Sequence, residues 1–553
     1  MTDVVGFAFS LLTLAIVAAI VLCGAYPIIH SGRRALRRWT GSTEWMREEL
    51  LAASVVLTIL YLALAGLMLC FVPWGARRVL AEVALAAPVG VGWFVWRRRS
   101  QEQQEIRGSF FFFLGAIGLS ASALLVGHLD VVLPEMLPDG AYVNKEHVAS
   151  VRIQRLTGDL PADNVVPFVV QEYLARRIPF RENAPILPGQ QVTNRPILVS
   201  LVALPLRLAL RPVQRMESLP KFSYVSTAWP DFRVLVRDGR TFSVFLGVGV
   251  FLNACLLLAV GVLVARHIPG KARAWAVMLL FCTSPYFFFQ TLFTWPKALA
   301  GFFVLLAFWV WGTRSGGGVA MAGAFLGLAY LSHPYAIGYF LIALFVLAIL
   351  NRDAMLIRGR NVFLFGFAFA LLLLPWWYWS NIALRLDSDL VAQNFTTKGF
   401  DFYSFIWMRI SNVANAVLPM YLSVGNASFS DSFVRSSMCV SGALGLLFVG
   451  SVFLGGWRRP SPFVASGSDV LTQANTSGIQ ALLWPCAAGA LLLACVFSAP
   501  AVSALHGWQP LIALLLVWGV ATANSGSCLS IGLLMTQIVV NVIQFGLYFD
   551  IHV

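Results

Sequence analysis

Residues 160–180 read LPADNVVPFVVQEYLARRIPF, a stretch with two acidic residues, three prolines and a basic end, set in a chain that is otherwise a succession of apolar runs. It lies within a mostly polar insert, Leu129 to Thr241, between two such runs. With 59% hydrophobic and 12% charged residues and a mean hydropathy of +0.77, the chain cannot be an ordinary soluble domain, because such domains carry about a quarter charged residues. A membrane protein has no structural need for a large charged insert between two spans, so chemistry or recognition is expected there.

Outward from the insert, the apolar runs predict an all-α polytopic membrane protein of about 14 spans, with 12 to 14 defensible. They are Val4–Tyr26, Leu50–Val72, Val79–Trp96, Ser109–Gly127, Phe242–Ala265, Ala274–Phe293, Ala298–Trp311, Gly318–Leu331, Tyr335–Leu350, Val362–Trp379, Ser437–Trp457, Ile479–Val496, Leu511–Ala521 and Leu529–Tyr548. Ala298–Trp311 and Gly318–Leu331 fall short of the roughly 20 residues that cross a hydrocarbon core, and read as broken or tilted pieces. The first run is too long for a signal-peptide core and is expected to be retained.

Lys and Arg in alternate short loops set the orientation. One set carries Arg33, Arg34, Arg37, Arg38 and Arg47, then Arg97, Arg98, Arg99 and Arg107, then Arg266, Lys271 and Arg273, and continues through Arg314, Arg352, Arg358, Arg360, Arg458 and Arg459. The opposite set offers only Arg77, Arg78 and Lys297. The first set is therefore expected in the cytoplasm, with the insert and residues 381–435 on the other side. Topology then accounts for much of the +14 charge without a nucleic-acid partner. Four regions follow: 1–128, a four-helix accessory region; 129–241, the outward loop; 242–457, a core bundle with a second outward loop at 381–435; and 458–553, a cytoplasmic linker with the last helices. The eight cysteines lie in or beside apolar runs without a CxxC spacing, which suits packing rather than disulfides or thiolate metal sites.

Within the insert, Val165–Arg176 reads as a helix preceded by Asp163 and Asn164, both good N-cap types. Residues Pro196–Leu210 (PILVSLVALPLRLAL) are apolar but short, with Pro205 and Arg207, and predict an amphipathic helix in the outer interface. Phe402–Val424 reads as a second. Asp163 is the leading candidate for a general base, with capping of the following helix as its simpler role. Asp130 is the second choice. Asp139, Glu146, Asp159 and Glu182 also compete.

This order of elements resembles the GT-C superfamily of membrane glycosyltransferases, which includes protein O-mannosyltransferases and lipid A aminoarabinose transferases. The likeness rests on a span, an outward loop with an early acidic residue (LPADN), a proline-containing lead into an interfacial helix (TNRPIL) and a multi-span bundle, over Leu129 to Trp379. Four leading helices and the extension Pro212–Arg240 depart from the simplest members. The resemblance implies a sugar moved from a polyprenyl-phosphate-linked donor to a glycan, lipid or protein acceptor at the outer face of a cytoplasmic (inner) membrane, with membrane lipids as surroundings. By motif position it places the base at Asp163, with Asn164 beside it.

Fixed cations stabilise a leaving phosphate, and Arg195, Lys297 in FTWPK and His333 in SHPY stand on the outward side. Each has a simpler alternative: headgroup contact for Arg195, helix anchoring for Lys297, loop packing for His333. A divalent cation is left open as a cofactor, since no ligand spacing specifies one. Two other readings are an O-antigen-type ligase or polymerase, whose large loop comes late and relies on Arg and His, and a non-enzymatic lipid or polysaccharide transporter or flippase. A transporter places ionisable groups along spans, and only Glu82 fits here.

Overall fold

A computed structural model describes residues 4–40, 45–99, 109–128, 165–183, 186, 191–194, 196–224, 227–230, 233–236, 239–268, 270–292, 295–311, 315–350, 354–386, 402–404, 406–407, 409–410, 467–496, 507–522 and 528–548. The chain is a helical, multi-pass membrane protein. Helix α1 (Val4–Ala19) runs through a π-helical turn at Ile20–Ala25 into α2 (Tyr26–Thr40). Next come α3 (Arg47–Phe71), α4 (Arg77–Arg99) and α5 (Phe111–His128). The 25 residues of α3 reach about 38 Å at 1.5 Å per residue, enough for a bilayer core. Its first turn is closed by Glu49, whose carboxylate accepts the Met46 N–H at 2.8 Å.

The insert contributes α6 (Val166–Arg176) and α7 (Leu198–Leu210). Arg177 ends α6 in the left-handed region (φ 58°), and the Ile178 N–H returns to the Tyr173 carbonyl at 2.9 Å. An antiparallel hairpin follows, β1 (Lys221–Tyr224) with β2 (Thr227–Pro230), Lys221 facing Pro230 and Tyr224 facing Thr227. This short pair leaves the fold class helical, as expected. The expected one-faced interfacial helix is corrected, because α7 is buried nearly all round. It crosses α3 where Gly66 has no side chain: a Cβ there would stand 2.1 Å from the Leu201 carbonyl oxygen. Enclosure is tolerable because the one charge in α7, Arg207, is satisfied inside the protein, as described below.

The rest of the chain forms α8 (Gly239–Ala254), α9 (Leu256–His267), α10 (Lys271–Thr283), α11 (Pro285–Leu292), α12 (Lys297–Trp311), α13 (Gly316–Ser332), α14 (Ala336–Phe345), α15 (Met355–Trp377), α16 (Gly467–Val496), α17 (Gln509–Thr522) and α18 (Cys528–Tyr548). Together α8 and α9 make the central span, Arg240–His267, almost wholly enclosed by protein. Helices α10 and α11 form a pair bent by 62°. Among the described residues seven helices are long and apolar enough to cross a membrane, eight if the bent pair is one span. Apart from Ser437–Trp457, which lies outside the described residues, each predicted span falls on a helix or on consecutive helices, several of them short. Most of the predicted interfacial helix Phe402–Val424 also lies outside them.

The first four spans share one core with the later helices. Helix α1 lies along α8 so closely that a Cβ on Gly247 would approach the Ser10 carbonyl oxygen to 2.6 Å. Helices α4 and α15 are mostly exposed and form flanks suited to lipid. Contacts respect two ends of the bundle. At the arginine-rich end Trp45 meets Trp309 (5.6 Å between ring centroids) and Arg266 pairs with Glu49. At the insert end Ser10 Oγ lies 3.0 Å from His128 Nε2.

Candidate functional site

Asp163, Asn164, Arg195 and the alternative Asp130 lie outside the described residues, as do Asp139, Glu146 and Asp159; Glu182 is described and exposed. The N-cap position of α6 is held by Val165, with no side-chain capping bond. Asp163 therefore precedes the cap position rather than occupying it.

Lys297 and His333 come together at the insert end. Pro296 stops α11 from continuing into α12, and a tight turn from the Lys297 N–H to the Trp295 carbonyl (2.7 Å) opens α12 at Lys297. Likewise α13 stops at Ser332, His333 is extended, and Pro334 and Tyr335 lead into α14. The Tyr335 N–H donates to His333 Nδ1 at 3.2 Å, so a neutral ring carries its proton on Nε2.

Trp295 joins the two. Its ring centroid is 4.5 Å from that of His333, and the Lys297 ammonium lies 5.0 Å from the same ring. Lys297 and His333 are only 2% and 4% exposed. The Tyr335 hydroxyl donates to the Lys297 carbonyl at 2.8 Å, which locks the start of α12 to the start of α14. Tyr339 donates to the Gly507 carbonyl. The Gly507 N–H donates to Gln509 Oε1 at 2.9 Å, and Gln509 Nε2 donates to Gln290 Oε1 at 3.2 Å. Gly301 leaves room for this: a Cβ there would touch Gln509 Cβ (3.4 Å) and the Tyr335 hydroxyl (3.5 Å). Four segments thus converge on one buried polar cluster.

Lys297 sits at the amino end of α12, where the helix dipole is already positive, and a buried ammonium is costly unless an anion or an aromatic face compensates it. The His333 imidazole beside the same Trp295 ring adds a second cation-capable group. The arrangement suits an anion.

Sequence reading missed a second network that locks the insert. Glu172 is fully buried and binds Arg207 through both oxygens, 2.6 Å to Nε and 3.2 Å to Nη2, while its Oε2 accepts from Arg176 Nε at 2.8 Å. Arg207 also donates to the carbonyls of Arg211 (2.9 Å) and Pro212 (3.2 Å). Arg77, at the head of α4, donates to the carbonyls of Leu69, Ala175 and Leu174 at 2.9, 2.7 and 3.0 Å. Burial pushes the Tyr173 phenol well up, and its hydroxyl donates to the Asn183 carbonyl. Past α6, Phe180 packs on Trp379 (5.3 Å) and Arg181 donates to the Leu384 carbonyl (2.8 Å). A charge in the apolar run of α7 was the available signal, though its partner is distant in sequence.

Gln171, also fully buried, has no hydrogen-bond partner for either side-chain atom among the described residues. Among those residues no group of three or more His, Cys, Asp or Glu is placed to hold a metal ion. Comparison with protein-family models, with curated proteins and with solved structures found no match.

Proposed function

We propose that the protein is an integral membrane glycosyltransferase of the GT-C kind, acting at the outer face of the cytoplasmic membrane. It moves a sugar from a polyprenyl-phosphate-linked donor to a glycan, lipid or protein acceptor. The observation that carries this reading is the meeting of Lys297 and His333 at the Trp295 ring, at the end of the bundle that bears the polar insert.

In this reading Asp163 takes the proton from the acceptor hydroxyl as that oxygen bonds to the anomeric carbon. The bond from that carbon to the donor phosphate breaks, and the leaving polyprenyl phosphate takes the electron pair. Lys297 and His333, with Arg195, hold the charge that develops on it. Asn164 belongs to the binding set beside Asp163, and Asp130 is the alternative base. A transporter reading leaves the converged cations and the locked insert without a shared task.

The test uses the full chain in lipid nanodiscs with a panel of polyprenyl-phosphate sugars, following label transfer to extracted acceptors. Asp163→Asn is expected to abolish transfer and retain donor binding, and Lys297→Ala to weaken donor binding itself. Full transfer by Asp163→Asn would remove that residue from the reaction. Donor moved between leaflets with no transfer would overturn the enzyme reading.

A further inference from the structure

The arginines at the end of the bundle opposite the insert do not all have the same work. Arg266 is paired with Glu49, Arg33 is bonded to His30, and Arg47 lies 5.0 Å from the Phe110 ring. These three are committed to the protein. Arg34, Arg97 and Arg98 are exposed, on α2 and on the last turn of α4.

Helix α4 is packed backbone to backbone against the π-helical turn that leads into α2: a Cβ on Gly92 would lie 2.1 Å from the Cys23 carbonyl oxygen and 2.6 Å from that of Gly24. That packing turns the other side of α4 outward, with Trp93, Phe94 and Trp96 at 54%, 48% and 57% exposure. The Arg98 guanidinium lies 4.2 Å from the Phe94 ring and that of Arg97 5.4 Å from Trp93. The exposed Arg98 guanidinium, stacked on its ring, keeps its N–H edge for a phosphate, and rings of this kind sit at headgroup depth.

Charge complementarity points the same way. Residues 30–50 and 97–107 together hold nine arginines and five glutamates. Two of those carboxylates are engaged inside the protein, Glu49 by Arg266 and Glu48 by the Ser109 N–H at 2.8 Å.

We infer that Arg34, Arg97 and Arg98, with the exposed rings of α4, form a binding site for an anionic phospholipid headgroup in the leaflet at this end. The acyl chains lie along the apolar face of α4. The inference is independent of the proposed glycosyl transfer.

The test takes the full chain in nanodiscs of phosphatidylcholine with added phosphatidylglycerol and counts retained lipid by native mass spectrometry. The wild type is expected to retain phosphatidylglycerol over phosphatidylcholine. Each arginine replaced among Arg34→Gln, Arg97→Gln and Arg98→Gln is expected to weaken retention about fivefold, the equivalent of about 1 kcal/mol per charge. Arg98→Lys keeps the charge and loses the planar stack, and is expected to weaken retention even if the triple variant fails to fold. Arg360→Gln, an exposed arginine on α15 at the same end, is expected to leave retention unchanged. Equal retention of the two lipids by the wild type would overturn the site. So would equal losses in Arg360→Gln and Arg98→Gln, which would mean diffuse surface charge only.

Discussion

Replacing Glu172 with Leu removes the one carboxylate among the described contacts of Arg207, a side chain only 1% exposed on α7. The guanidinium keeps two carbonyl partners, Arg211 and Pro212, but loses its counter-ion and two of its contacts. Stranding a buried charge costs about 3–5 kcal/mol, and the surviving carbonyl bonds place this case near 3. Removing both partners strands nothing buried, since Arg176 retains a path to water at 15% exposure. Glu172→Leu with Arg207→Leu is therefore expected to lie within about 1 kcal/mol of wild type or above it. The double-mutant cycle then gives a coupling of at least about 2 kcal/mol, read from unfolding in mixed micelles. A local assay sharpens it. Arg207 holds the segment that starts at Arg211, and the Arg176 carbonyl accepts the Met216 N–H at 3.1 Å. Loss of about 3 kcal/mol of closure is expected to speed tryptic cleavage at Arg211 or Arg215 about a hundredfold where cleavage tracks the opening equilibrium. A single-variant cost under about 1 kcal/mol, or strict additivity of the two replacements, would refute the reasoning.

Gly92→Ala is expected to destabilise by about 1–3 kcal/mol, because the new methyl meets backbone oxygens that cannot swing aside. Gly90→Ala, with nothing within 4 Å of its Cβ position, is the control and is expected to be neutral or to stabilise; both are read as unfolding midpoints in one detergent. Tyr335→Phe removes the donor to the Lys297 carbonyl and is expected to cost about 1 kcal/mol by the same measurement. If Lys297 holds donor phosphate, the Tyr335→Phe loss appears as weaker donor binding with little change in the rate of transfer at saturation.

The helices were legible because apolar runs bounded by arginine leave few alternatives, and even the short Ala298–Trp311 and Gly318–Leu331 emerged as helices; of the 12 to 14 spans expected, seven, or eight with the bent pair, are long and apolar enough to cross a membrane among the described residues. Counting Lys and Arg also put Lys297 and His333 on one side, and the structure brings them together. Contacts between residues distant in sequence were not legible. Glu172 and Arg207 stand 35 residues apart and Gln290 and Gln509 219 apart, and no local pattern reports such partners. For the same reason α7 read as a helix needing water on one side: its arginine marked an amphipathic face only while its carboxylate was unknown. Close packing of α1 on α8 depends on Gly247 facing Ser10, a match of shapes rather than of composition.

Burial of α7 changes what the insert can be. An interfacial helix lying on the surface slides, whereas this one is keyed between α3 and α4 at Gly66, tied by Glu172 to α6, and followed by a chain bonded back to Arg176. On the other flank Phe180 and Arg181 tie the turn after α6 to the end of α15. Helix α6 is therefore fixed at its tail by charge and at its flank by aromatic packing. Its first turn is set by the Val169 N–H bonding the Val165 carbonyl at 3.0 Å. Asp163 lies two residues before Val165 in the sequence, and α6, which Val165 opens, is anchored to the same bundle that carries Lys297 and His333. The proposed general base would gain from an anchored α6, because misplacement by about 1 Å can cost a hundredfold in rate. The buried ion pair between α6 and α7 is then better understood as a device for holding position than for adding stability, since an apolar pair would stabilise as well.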